Sequence, residues 1–153
     1  MEKIVVLVNK EFRERVFSEK YYKKMRAFGE VKIFDKDNFS DVGYVIDFVK
    51  GATIIVTSWD SPKIDKEILD NCPELKAVIH GAGSVKPVIS DEFINRKIRI
   101  TNSAVAIGEG VAESALGFAI SACKGFYRLS RDTKNGLWQE NIKTTVTDFY
   151  DIT

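Results

Sequence analysis

Histidine is almost missing from this sequence, one residue in 153, and cysteine is nearly as scarce, with two. Cys72 and Cys123 form no metal-ligand spacing, so no metal site is expected and both thiols read as reduced. An excess of either charge is lacking too. Lysine and arginine together number 23 against 22 acidic residues, which removes the electrostatic reason to expect a nucleic-acid or membrane surface. No secretory signal is expected, because "MEKIVVLVNKEF" has too short an apolar stretch and no small-residue cleavage site. The longest weakly polar stretch, "GVAESALGFAISACKGF" (110–126), is interrupted by Glu113 and falls short of the roughly 20 apolar residues of a membrane span. These absences predict a cytoplasmic protein whose partners are small molecules or other protein chains, with no nucleic acid and no membrane.

What the chain does contain is a regular alternation. Short runs rich in β-branched residues occur at "KIVVLV" (3–8), "VKIF" (31–34), "TIIVTS" (53–58), "LKAVIH" (75–80) and "IRIT" (98–101). They are apolar throughout rather than alternating, as in a parallel sheet covered on both faces. Helical patterns lie between them, at 11–28, at 41–50 behind Ser40 and Asp41, at 62–71 opened by Ser61-Pro62, and at 88–96 opened by Ser90-Asp91. Five alternations in one domain-sized chain predict right-handed crossovers and a flavodoxin-like, doubly wound parallel sheet of five strands in the order 2-1-3-4-5. Ligands of such sheets gather outside the carboxyl ends of the strands.

After the fifth run the pattern changes. Residues 109–131, "EGVAESALGFAISACKGFYRLSR", read as one continuous helix roughly 34 Å long. It is apolar around most of its circumference, with Val111, Leu116, Phe118, Ile120 and Phe126, and its alanines and Gly117 permit close approach of another backbone. Such a helix needs neighbours on two sides, which predicts self-association through the segment from Val111 to Phe126. The tail, 132–153, is polar with isolated Trp138, Phe149 and Tyr150, and reads as a connector that could otherwise fold back on the helix.

Two glycine-containing stretches invite a nucleotide reading, and neither fits it. "GAGSVK" puts Lys86 where a dinucleotide fingerprint has its third glycine, "GEGVAE" (108–113) puts Glu113 there, and a P-loop is absent. Gly108 and Gly110 read as punctuation before a helix. Gly81, Ala82, Gly83 and Ser84, at the end of the run 75–80, form either a simple turn or a nest of backbone amides able to hold a carboxylate or phosphate, with Lys86 adding attraction. "TSWDSP" (57–62) occupies the equivalent place after the run 53–58. It reads as a turn with Asp60 or Ser61 capping the next helix, or else as a rim that brings Ser58 and Trp59 to the same crevice. His80 has no evident partner in the sequence and reads as structural in preference to a general acid or base. A receiver domain is excluded because Asn9-Lys10 and Thr101-Asn102 stand where its acidic residues and lysine belong, and "VNKEFRER" is no flavin phosphate loop.

Residues 73–138 carry a set of landmarks in order. Pro73-Glu74-Leu75-Lys76 precede the Gly81-Ala82-Gly83 loop, Ile98 to Asn102 follow, Val111-Ala112-Glu113 open the long helix, and Gly136-Leu137-Trp138 close the set. Together they resemble the N-terminal substrate domain of the NAD-dependent D-isomer-specific 2-hydroxyacid dehydrogenases. The resemblance implies a substrate domain at 1–103, a long linker and dimerisation helix at 104–131, and a connector at 132–153 leading toward an NAD-binding domain that this chain lacks. It implies that Ala82, Gly83 and Ser84, with Ser58 and Trp59, hold the carboxylate of a small 2-oxo or D-2-hydroxy acid, and that Gly108 and Val111 lie toward the NAD or NADP of the full-length enzyme. The family's catalytic Arg, Glu and His would fall beyond Thr153, so no catalytic residue is expected here and the chain alone is expected to be inactive. Two departures stand out: Val85-Lys86 replace the family's Asp-Asn, and Ile107 replaces an Asn. The competing expectation is a stand-alone, non-catalytic binding or dimerisation module.

Overall fold

The computed structural model describes residues 1–138. Five strands, β1 (Glu2–Val6), β2 (Gly29–Ile33), β3 (Ile54–Thr57), β4 (Ala77–His80) and β5 (Arg99–Thr101), form one sheet in the order β2-β1-β3-β4-β5. Every neighbouring pair is parallel. This is the flavodoxin-like doubly wound arrangement that the alternation predicts.

The continuous apolar runs are explained by two cores. On one face of the sheet Val5, Leu7, Ile55 and Val78 pack with Phe34, Val45, Val49, Ile64, Leu69 and Phe93, beneath helices α3 (Val42–Val49), α4 (Lys66–Asn71) and α5 (Asp91–Asn95). On the other, Ile4, Val6, Val8 and Val56 pack with Tyr22, Phe17 and Met25 from the region of α1 (Lys10–Val16) and α2 (Glu19–Arg26). Each fully buried Leu, Ile or Phe contributes about 1.5–3 kcal/mol. Toward β4 the second face is open: Ile79 keeps 43% of its surface exposed and lines a groove with Phe17, Tyr21, Met25, Phe28 and Ile54.

Helix starts follow local chemistry, and several differ from the sequence reading. The pattern at 11–28 is two helices, since Phe17 and Ser18 are extended. That bend turns Phe17 onto Tyr22, with ring centroids 6.1 Å apart. The helix expected from Ser61-Pro62 starts only at Lys66, where the side chain of Asp65 accepts the amide of Ile68 at 3.1 Å. Before it, Ile64 bridges to Ile89, and this pairing holds residues 62–64 out of the helix. Neither Asp60 nor Ser61 is therefore the cap. Asp41 and Ser90 cap α3 and α5 through the amides of Tyr44 and Phe93.

The largest correction concerns the continuous helix expected at 109–131. Helix α6 runs Ala104–Cys123, and a second helix, α7, runs Phe126–Lys134. The side chain of Asn102 accepts the amide of Ala104 at 3.1 Å, which fixes the early start. The break falls at Gly125, whose φ of 65° is left-handed and costs glycine nothing. Gly108 and Gly110 consequently lie inside α6 rather than before it, where each weakens the helix by about 1 kcal/mol relative to alanine. With 20 residues α6 is also long and apolar enough by composition to cross a membrane, unlike the shorter stretch read from the sequence, although it carries Glu109 and Glu113. The chain divides after Val105 into two units, so that most of α6 belongs to the second. None of its residues is buried. Trp138 is exposed, and the aromatic residues Phe149 and Tyr150 of the expected connector lie outside the described residues.

Candidate active site

The carboxyl ends of β3 and β4 are tied together before any ligand is considered. Thr57 and His80 are register partners, and Gly81 donates its amide to the Thr57 carbonyl at 2.7 Å. A Cβ on Gly81 would stand 3.4 Å from that oxygen and 3.5 Å from the ring of Phe17, which is ordinary van der Waals contact. Beyond β3 the chain reverses at once. Asp60 takes a left-handed φ of 58°, a conformation that aspartate tolerates better than most residues. The turn is locked by Ser61, whose Oγ accepts the Ser58 amide at 2.9 Å and donates to the Leu7 carbonyl at 2.7 Å.

Between these segments lies a crevice of about 410 Å³, lined by Ser58, Trp59, Asp60, Ser61, His80, Ala82, Ser84, Pro87 and Val88. It opens at the carboxyl edge, where doubly wound sheets place their ligands. Ser58 is buried and its Oγ reaches the Gly81 carbonyl at 3.4 Å, while Trp59 is 47% exposed and packs against Phe12 at a ring separation of 6.1 Å. The Ala82 carbonyl accepts the Ser103 amide at 3.0 Å, which pins the loop to the chain after β5. Among the described residues the amides of Ala82, Gly83 and Ser84 donate to no protein acceptor. Successive free amides are the donors that a carboxylate or phosphate oxygen needs.

His80 is 3% exposed, and its Nδ1 lies 2.9 Å from the buried Oγ1 of Thr57. Burial lowers the imidazole pKa from the ordinary 6.5, and a backbone hydrogen bond at Ser84 works weakly the other way. Among the described residues no cluster of His, Cys, Asp and Glu could hold a metal ion.

The structure thus gathers Ser58, Trp59, Ala82 and Ser84 on one crevice. Gly83 sits in the same loop with open space around it, but does not line the wall. Lys86, expected to add attraction, is exposed and outside the lining. Gly108 and Val111 are exposed positions within α6. Sequence reasoning reads Asp60 as a cap and His80 as structural, yet both line the crevice, and it does not foresee the contact of His80 with Thr57. The one available signal is that Thr57 and His80 end adjacent parallel strands.

No family model matches the chain. A glyoxylate reductase of Thermococcus litoralis is 23% identical over 132 residues, which make up 86% of this chain and 40% of that protein. The chain is thus similar in sequence to glyoxylate reductases. Solved structures share its fold. A phosphoglycerate oxidoreductase of Rhizobium etli is superimposable with a TM-score of 0.68 at 16% identity, over 97% of this chain and 45% of that one. A 2-hydroxyacid dehydrogenase of Ketogulonicigenium vulgare gives 0.65 at 15% identity, over 97% and 45%. An acyclic imino acid reductase in complex with NADPH and D-Arg gives 0.67 at 16%, over 95% and 45%. The chain therefore spans about 40% of the length of the curated glyoxylate reductases it matches.

Proposed function

We propose that this chain is the substrate-gripping part of an oxidoreductase that reduces a small 2-oxo acid to its D-2-hydroxy acid with NADH or NADPH. The observation that carries the reading is the row of free amides at Ala82, Gly83 and Ser84 beside a crevice that also holds Ser58 and Trp59, in a relative of glyoxylate reductases. Amide donors fixed on a strand end suit a carboxylate without requiring a side-chain cation. The half-exposed Trp59 ring supplies an apolar wall that limits substrate size.

Residues 1–103 hold the substrate, 104–131 form the link and the dimer contact, and 132–153 lead toward the nucleotide-binding part. Two copies pair through the segment from Val111 to Phe126, which is exposed and apolar. Gly108 and Val111 do not fit a pyrophosphate cradle. Their amides belong to the body of α6, so they meet a cofactor only as surface contacts. The chain's own residues bind and orient the acid, and the reacting groups come from elsewhere.

The test is a titration of the ¹⁵N-labelled chain with glyoxylate. Amide shifts confined to 58–61 and 82–84 at millimolar ligand support the reading, and unmoved amides at those positions reject it. NADH fluorescence is expected to show no saturable micromolar response with the chain alone.

A further inference from the structure

Among the described residues that line the crevice only Asp60 and His80 ionise, and neither lysine nor arginine is present. An anion entering it meets amide dipoles and one side chain able to become cationic. We infer that His80 is the proton-linked counterion of this crevice: a carboxylate held by the 82–84 amides binds together with one proton, which His80 takes from solvent. The inference rests on the carboxylate reading above.

Three features of the ring's surroundings carry it. The first is position, since His80 lines the crevice at the base of the loop whose amides are free. The second is its partner. Thr57 Oγ1, 2.9 Å from Nδ1, is a hydroxyl, which donates to an unprotonated ring nitrogen and, after rotation, accepts from a protonated one. The ring can change charge without losing this bond. The third is the balance now acting on it. Burial holds the imidazole neutral, and the backbone hydrogen bond at Ser84 favours the charged form and links the ring to the gripping loop. An anion within about 4–6 Å favours a neighbouring cation by tenfold or more, which opposes the depression caused by burial.

Other charges around the ring do not substitute for a ligand. β3 presents Thr57, the turn after it presents Ser58, Asp60 and Ser61, and the segment after β4 presents Ala82, Ser84, Pro87 and Val88. Asp60 is the one carboxylate among these, and it does not contribute to the present state of His80. Lys86, the only charged residue of the 81–88 segment, is exposed outside the lining.

Because the sequence holds a single histidine, its imidazole proton signals can be followed by NMR without assignment. The ¹⁵N-labelled 153-residue chain is titrated with oxamate, a stable 2-oxo acid mimic, across the range from pH 8 to pH 5.5. The expected result is that oxamate shifts the 82–84 amides, raises the imidazole midpoint, and binds about tenfold more tightly at the acid end. If the amides shift with pH-independent affinity and the midpoint stays put, the counterion role is overturned and the carboxylate site stands. If the amides do not respond at all, both readings fall. His80→Gln keeps a polar side chain that cannot ionise, and is expected to bind oxamate with the same affinity at pH 8 and at pH 5.5, whatever that affinity is. Retained acid tightening in that variant would overturn the role, and the wild-type titration decides the matter even if the variant fails to fold.

Discussion

Ser61 reaches back to Leu7: its Oγ donates to that carbonyl at 2.7 Å across 54 positions of sequence. The same oxygen accepts the Ser58 amide, so one buried hydroxyl joins the end of β1 to the turn that forms the crevice wall. Ser61→Ala leaves a buried amide and a buried carbonyl without this partner. It is expected to destabilise the chain by about 1–3 kcal/mol, read from urea unfolding, and to weaken glyoxylate binding at the 58–61 amides. Unchanged stability would mean that water replaces the hydroxyl without loss.

Gly29 opens β2 opposite Glu2, and a Cβ there would overlap the Glu2 carbonyl oxygen. Both atoms belong to paired backbone, so neither can swing aside. Gly29→Ala is expected to cost about 1–3 kcal/mol through forced separation of β1 and β2. Hydrogen exchange should locate the loss in those two strands, and protection there equal to wild type would contradict the account.

The neutral, buried His80 makes stability depend on pH. Its folded pKa lies below the ordinary 6.5, so the unfolded chain binds the proton more readily. The contribution is complete above about pH 6.5 and is lost as pH falls toward the folded pKa. The lowered carboxylates Glu2, Asp41 and Asp70 start from 4.5 or 3.8 and titrate beneath this window. The urea midpoint is expected to fall as pH drops below about 6.5 in wild type and to stay flatter in His80→Gln; parallel curves would remove His80 as the cause.

Phe118 stands 64% exposed on α6 with Leu116 and Val111 also exposed. Large apolar side chains grouped on one helix mark an association surface. Light scattering is expected to give a dimer for wild type and a monomer for Phe118→Asp. A wild type that stays monomeric at high concentration would refute pairing through this helix.

How far the fold was legible follows from which signals are local. The runs at 53–58 and 75–80 needed no partner to be recognised, since only a strand covered on both faces keeps such residues apolar throughout, and their place in the order set the sheet. Asp41 and Ser90 were legible caps because the amides they accept lie three residues on. The start of α4 was not, because Ile64 is withheld from the helix by its bridge to Ile89, a contact outside any local window. The start of α6 was written in Asn102 yet masked by the glycines at 108 and 110, which suggest an end where the helix continues.

The sequence by itself determined the alternation of strand and helix, the glycine loop after β4 and the absence of a nucleotide fingerprint, because each depends on residue type at short spacing. Only the tertiary structure decided that Ser61 locks the crevice turn instead of capping a helix, and that His80 shares a buried hydrogen bond with Thr57 at 2.9 Å. Parallel pairing supplies the reason. It sets residues from distant crossovers side by side at one sheet edge, and the charge state of a lone histidine there is governed by burial and by neighbours that no spacing along the chain reveals.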